Sequence, residues 1–574
     1  MRSRDWQIVP LVVSFALALV VLGPALAPGF VLTYDMVFVP DLTLLPATWG
    51  EGSALPRAVP SDALVAVLDQ VVPGALLQKA VLLASLTAAG AGAARLLASR
   101  PLWVRLAAVV LAVWNPYVAE RLVIGQWVLL VGYAALSWVV VACADWLRGR
   151  PGSAGRVVLA SAVAAVGATG GLLAAGAVAV VALWPGRPER RHAPLVLAGV
   201  AAVNAPWVLA GLAHAGAATG AAEGVSAFAP RSEHWAGALV TLLGGGGIWN
   251  AGVVPGSRGA PMTPVLTACL LALAVTGLVH AARCADTRVW VGPVAVWAGG
   301  AMLVACLTLL PGGSVALSWL VESVPGGGLL RDGQKLVAPF VLATAVLAPC
   351  GAEALARGRR PVVASAVATA VLLVPVAALP DLAWGAQGRL SPVEYPRGWA
   401  QARAVVAADG RDSLVSLPFQ SYRAFGWNAS RPVLDPAGRY FPVPTVVDDT
   451  LVVAGTPVPG EVRRAARVGA ALEAGEPLAD LGVRWLFVDR STPGEVPAAA
   501  LEQAALRLRD GSVELWEVIG PVRQPDFAPG RPWLAATGHL LAGSVLVGVS
   551  VSAFARRRGA SLLLFGRFPG SEGK

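Results

Sequence analysis

The sequence predicts a polytopic α-helical membrane protein of about 11–12 spans, with a C-terminal α/β domain outside the membrane. Three observations carry this. The chain is 56% apolar and 14% charged, where a soluble protein is roughly a quarter charged. Apolar runs near 20 residues recur along it, each long enough to cross the hydrocarbon core as a helix. They lack the alternation of barrel strands, and a helix satisfies its own backbone in lipid. Between Pro380 and Arg531 the runs shorten to strand length and charges become frequent. The chain therefore divides into a multi-span domain (1–379), an α/β domain (380–531), and a last span with a basic cytoplasmic tail (532–574).

Arginines in short loops orient the spans, because positive charge favours the cytoplasmic side. The N-terminus, Met1-Arg2-Ser3-Arg4, is basic and lies inside. The run from Ile8 to Pro28 is long and lacks a small-residue cleavage pattern, so it reads as a retained span, not a signal peptide. The loop from Gly29 to Pro73 is then outside. A second span, about Ala75 to Leu97, returns to Arg95 and Arg100. A third, about Trp103 to Trp114, stops at Asn115-Pro116, since the residue before proline avoids helix. Glu120, Arg121, Gly125 and Gln126 follow on the outer side. The span from Trp127 to Trp146 returns to Arg148, Arg150 and Arg156.

The next run, Val157 to Trp184, is too long for one simple span. A break at Gly167-Ala168-Thr169-Gly170-Gly171 makes two short helices and keeps Arg187, Arg190, Arg191 and His192 inside. Leu195 to Leu212 exits, with a kink expected at Pro206. Thr241 to Asn250 is apolar and Gly-rich but too short to span, so it is re-entrant or lies on the outer surface. Spans at Met262–Ala281 and Val289–Leu310 flank Arg283 and Arg288. After an outer loop from Pro311 to Lys335, one span reaches Arg357, Arg359 and Arg360. Pro361–Ala378 exits, and Trp533–Phe554 returns to Arg556. In the α/β domain, Leu414–Leu417, Val483–Val488 and Val513–Val518 read as strands. Arg463–Glu473 and Ala499–Leu508 read as helices.

The net charge of +10 comes largely from loop arginines, so it is no sign of nucleic acid. The five cysteines lie in or beside spans with no CxxC, which suggests neither a disulfide framework nor a zinc site. P-loop, GxSxG and HExxH patterns are missing. Span interiors nearly lack acids, which argues against an ion-coupled transporter. No cofactor is called for, and a divalent metal is left open.

Candidate site residues cluster in the outer loops. Asp35 and Asp41 stand six residues apart in the first loop. From spacing alone the two are either solvated loop carboxylates or a catalytic acid; Asp35 lies near the membrane surface among Phe30, Tyr34 and Phe38, a setting that suits a general base. Arg331 and Lys335 flank Asp332 after three glycines and open an inward span. Such a cationic, Gly-rich helix start suits a phosphate. In the bland reading, Arg331 pairs with Asp332 and Lys335 snorkels. Lys79, beside Gln78, reads first as snorkelling and second as a phosphate ligand. Glu120 and Arg121, and then Glu223, Arg231, Glu233 and His234, are either substrate contacts or surface ion pairs.

Several stretches carry a family resemblance: Asn115-Pro116-Tyr117-Val118-Ala119-Glu120-Arg121, Gly125-Gln126-Trp127, Arg331-Asp332-Gly333-Gln334-Lys335, and Leu481-Gly482-Val483-Arg484-Trp485-Leu486-Phe487-Val488. With the acidic first loop and the broken run, the layout resembles the GT-C glycosyltransferases, in particular YfhO-like proteins and actinobacterial arabinofuranosyltransferases. The resemblance implies a multi-pass protein of the bacterial inner (plasma) membrane, with its α/β domain extracytoplasmic. It implies a polyprenyl-phosphate sugar donor, an envelope glycan or lipid acceptor, and inverting transfer. By the family pattern a first-loop acid, Asp35 or Asp41, is the base. This chain has no adjacent acidic pair, which leaves the choice between the two open. The alternative is a non-catalytic protein of envelope assembly or lipid/polymer export on the same scaffold.

Overall fold

The computed structural model describes residues 2–52, 56–185, 192–214, 223–410, 413–453, 456–523 and 531–565. The basic cluster Arg187, Arg190 and Arg191 lies outside them. Among the described residues ten helices are long and apolar enough to span: Ile8–Leu26, Gly74–Leu96, Leu102–Val123, Trp127–Leu147, Ala193–Ala213, Thr263–Arg283, Arg288–Ala305, Gly333–Ala356, Pro361–Ala378 and Pro532–Ala555. The long run breaks near the expected place, into Ser153–Ala164 and Ala168–Leu183, so the count is ten plus one broken element. The chain is a multi-pass membrane protein.

Burial sorts the spans. Gly333–Ala356 buries 83% of its apolar window, against 6% for Pro361–Ala378 and 17% for Pro532–Ala555. The first is central, and the other two present their apolar surface outward, as lipid-facing helices do. Small residues set a close contact between two of the spans. A Cβ on Gly277 would stand 1.8 Å from the Leu347 carbonyl oxygen, and one on Gly351 would stand 2.0 Å from that of Leu273. Helices Thr263–Arg283 and Ala338–Ala356 therefore touch backbone to backbone, which in lipid maximises dispersion contact.

Asn115-Pro116 ends one helix and starts another. Asn115 caps the helix Pro116–Val123: its Oδ1 accepts the Val118 N–H at 2.9 Å, and Pro116 takes the first helical position. This second helix is buried inside the protein, so Glu120 and Arg121 are fully buried and not on an outer surface as expected. The Gly-rich stretch after Gly237–Leu243 folds inward against the same helix, with Ile248 fully buried. The loop after Arg288–Ala305 holds an unforeseen helix, Gly313–Ser323, which exposes Val315 and Trp319.

The α/β region forms a five-stranded mixed sheet in the order Thr445–Val446, Ser413–Leu417, Val483–Asp489, Val513–Val518, Ala504–Asp510. The first three run parallel to one another, and Val513–Val518 is antiparallel to both of its neighbours. The expected helix Ala499–Leu508 is corrected. Only Ala498–Glu502 is helical, and the alternation in Leu506-Arg507-Leu508-Arg509 continues as a strand that turns at Gly511 (φ +60°) to pair with Val513–Val518. Trp399 centres an aromatic cluster with Phe425, Trp427, Tyr440, Phe441 and Phe487. It ties the helix Arg397–Asp409 to the sheet.

Gly277→Ala and Gly351→Ala are each expected to lower stability by ~1–3 kcal/mol, by forcing apart two helices in backbone contact. Thermal unfolding in detergent checks this, with Gly299→Ala, where a Cβ meets open space, as the neutral control.

Candidate active site at the first loop

The first loop is strapped down at its entrance and at its tip. Phe30 exchanges backbone hydrogen bonds with Val393, and Gln78 donates to and accepts from Val31 at 2.8 and 2.9 Å. Lys79 donates to the Gly29 carbonyl at 2.5 Å, so its charge holds the loop entrance. At the tip Tyr34 adopts φ +40° and inserts between Pro432 and Leu434 of the short hairpin Tyr422–Arg423/Val433–Leu434. Gly125 (φ +80°) lets the loop pass beneath. A Cβ there would stand 2.3 Å from both Met36 N and Thr33 O.

This strapping aims Asp35. One carboxylate oxygen accepts from Gln126 Nε2 at 3.0 Å, and the other accepts from the Tyr422 hydroxyl. Burial first, and then the Asp35 charge, push the Tyr422 phenol well above its ordinary range, so it remains a donor. Gln126 extends the chain of contacts, since its Oε1 accepts from Arg121 Nη1 at 2.6 Å. Arg121 forms a two-pronged pair with Asp332 at 3.0 and 3.1 Å. Asp332 also faces Lys335 Nζ at 3.7 Å. Burial opposes the charge on Asp332, but Arg121 and Lys335 outweigh it and hold the carboxyl below its usual range. Lys335 lies within electrostatic reach of both Asp35 and Arg331. One network thus runs Tyr422–Asp35–Gln126–Arg121–Asp332–Lys335, joining three motifs that are far apart in sequence.

The other candidates sort by geometry. Arg331 pairs with Glu461 at 3.2 Å, not with Asp332, and stacks over Phe228 at 4.8 Å. Asp41 lies apart from the network: its side chain is 69% exposed and bonds Arg403 at 2.6 Å. Arg403 also lines a groove of about 590 Å³ with Phe30, Tyr395 and Tyr440. Glu120 accepts from Gln334 Nε2 at 3.1 Å and from Ile248 N at 3.2 Å. Glu233 takes Arg258 Nε at 2.7 Å and the Gly247 N–H, cradled by a turn where a Cβ on Gly246 would collide with it. Glu233 and Glu120 therefore shape the wall behind the network. His234 contacts Thr241 at 3.4 Å, and burial lowers its proton affinity. Arg231 is exposed and its guanidinium reaches the Trp249 carbonyl at 3.4 Å. Glu223 lies in the short helix Glu223–Ala227, where its backbone alone is described. Among the described residues no three His, Cys, Asp or Glu side chains converge as metal ligands.

Sequence reasoning passed over Gln126, Tyr422, Glu461 and Arg57, which pairs with Glu461 at 2.7 Å. Gln126 lay inside a recognised stretch; the other three carry no local signal.

Replacing Arg121 or Asp332 singly by Ala leaves a buried charge unpaired and is expected to cost about 3–5 kcal/mol. Arg121→Met combined with Asp332→Leu is expected to recover much of that loss. Thermal unfolding and expression yield of the three variants check both statements.

No protein-family profile matches the chain, and comparison with curated proteins gives no match. Solved structures do match. The cryo-EM structure of arabinofuranosyltransferase AftD from mycobacteria aligns at TM-score 0.58 and 19% identity, over 91% of this chain and 40% of that one. Two structures of a substituted AftD align at TM-scores 0.55 and 0.54, each at 17% identity, over 92% and 91% of this chain and 42% of theirs. The chain thus spans well under half the length of these neighbours. The likeness is one of fold, and at that level the resemblance read from the sequence is borne out: this chain is a polytopic helical membrane protein with an appended mixed-sheet region, built on the fold it shares with AftD.

Proposed function

We propose that this chain is a membrane glycosyltransferase of the GT-C kind. It takes a sugar from a polyprenyl-phosphate donor and passes it, with inversion, to an envelope glycan or lipid at the extracytoplasmic face of the bacterial inner membrane. The observation that carries this reading is the network from Tyr422 through Asp35 to Lys335. It brings a first-loop carboxylate and a cation into one electrostatic unit. The shared fold with an arabinofuranosyltransferase supports it.

In this mechanism Asp35 removes the proton from the acceptor hydroxyl, and the freed oxygen attacks the anomeric carbon. The bond from that carbon to the donor phosphate breaks, and its electron pair leaves on the phosphate oxygen. Tyr422 and Gln126 hold one carboxylate oxygen each, so the base is oriented before substrate arrives. Lys335, 30% exposed, meets the growing phosphate charge, with Arg331 beside it. Asp41, exposed and paired with Arg403, is assigned to the groove that Arg403 lines with Phe30, Tyr395 and Tyr440. We place the acceptor there, so the α/β region supplies part of the acceptor site.

Asp35→Asn is expected to lower transfer from polyprenyl-phosphate sugars by ~10²–10⁴-fold, with expression and thermal stability near those of the parent. Transfer by purified protein in nanodiscs, against a panel of such donors, measures it. Full activity in Asp35→Asn removes the assignment, and no transfer by the parent with any donor favours the non-catalytic alternative.

A further inference from the structure

Glu461 stands out as a carboxylate held between two cations that belong to other parts of the chain. Its Oε2 lies 2.7 Å from Arg57 of the first loop, and its Oε1 lies 3.2 Å from Arg331. The backbone presents it rigidly. Asp449 accepts the N–H groups of both Glu461 and Val462, at 2.7 and 3.0 Å. A Cβ on Gly460 would stand 2.0 Å from the Asp449 carboxylate, so Gly460 lets that side chain close over the two N–H groups. Behind Arg331, Phe228 supports the guanidinium face and is itself packed edge-on by Trp249 at 4.9 Å.

Both arginines lie within electrostatic reach of candidate-site residues, Arg57 of Tyr422 and Arg331 of Lys335. Arg57 is half exposed, and Arg331 and Glu461 are each less than one-fifth exposed. A pair of guanidiniums facing one two-oxygen anion is the arrangement that also binds a phosphate, through charge-assisted hydrogen bonds. An exposed surface pair contributes little and exchanges readily, so the half-exposed Arg57 end is the easier one to release.

We propose that Arg57 and Arg331 form an anion site whose resident occupant is Glu461, and that a phosphate monoester or diester displaces this carboxylate. Displacement unties Glu461, with the Asp449 side chain that holds its backbone, from the first loop and from Arg331. Glu461 thus acts as an internal competitor and as a latch. The proposal rests on the reading above only for which phosphate is expected; anion binding itself does not require sugar transfer.

The test is binding, not turnover. Full-length protein in phosphatidylcholine nanodiscs is titrated with inorganic phosphate in one arm. In the other it is placed in discs doped with a polyprenyl monophosphate. Hydrogen exchange at Glu461 and Val462, whose N–H groups Asp449 holds, is read in both. Exchange should rise with at least one probe; the arm that responds at lower concentration shows whether the phosphate comes from solution or from a lipid headgroup. Glu461→Gln should tighten binding about five- to tenfold and show raised exchange without ligand. Arg57→Gln should weaken binding about tenfold. Because Arg57 is half exposed, that variant is expected to fold, which thermal unfolding checks. Unchanged affinity in Glu461→Gln, or no response to either probe in the parent, overturns the proposal. Asp35→Asn should bind as the parent does, so loss of transfer and loss of anion binding are read separately.

Discussion

The buried pair of Arg121 and Asp332 is the constraint on which the rest of this structure depends. Two charges inside an apolar helix bundle are tolerable only if each neutralises the other with good geometry. Here the geometry is two-pronged, at 3.0 and 3.1 Å, between residues 211 positions apart. That demand sets the register of the helix Pro116–Val123 against the entry to the span Gly333–Ala356. The remaining donors of Arg121 and the remaining lone pairs of Asp332 must also be used. Gln126 takes a second bond from Arg121 Nη1, Lys335 adds its charge 3.7 Å from Asp332, and Gln126 in turn reaches Asp35. The candidate site is thus the outward continuation of a requirement that begins in the core.

The first loop is the second device. It has little regular structure, yet its backbone groups are paired from both sides: by Gln78 and Lys79 from the membrane helices, and by Val393, Pro432 and Leu434 from the sheet region. The hairpin that receives Tyr34 is held by a second buried pair. Arg423 bonds Asp435 at 3.1 Å and also the carbonyls of Leu417 and Asp489. Two buried arginines, one in each half, thereby fix the two walls that meet at Asp35. A carboxylate placed in this way spends little entropy on reaching a reactive position, which is where positioning gains its rate.

Charge elsewhere follows the same economy. Glu233 shapes a Gly-rich turn, Lys79 closes the loop entrance, and Glu461 spans Arg57 and Arg331. Lys79 donates to a backbone carbonyl and Arg331 to Glu461, whereas the Lys335 ammonium stands 3.7 Å from Asp332. That is the physical reason for centring the leaving-group role on it.

The sequence by itself determined the class of this protein, because lipid enforces a rule that is local. Runs near 20 apolar residues must be helical, and arginine clusters orient them, so the spans and the break near Gly167 were legible. Three of the sheet's five strands were legible as short apolar runs. Ala504–Asp510 was missed, because a strand of alternating Leu and Arg also resembles one face of a helix until its partner is known. What only the tertiary structure decided is which charges meet. Arg121 sits next to Glu120 and Asp332 next to Arg331 in sequence, yet neither adjacent pair forms. Arg121 joins Asp332, and Arg331 joins Glu461. Neighbouring side chains on a helix or tight turn point different ways, and burial rewards the partner with the right geometry, however distant along the chain. The same holds for Asp35 and Asp41: six residues apart, they differ in that one is reached by Tyr422 and Gln126 while the other faces solvent and Arg403.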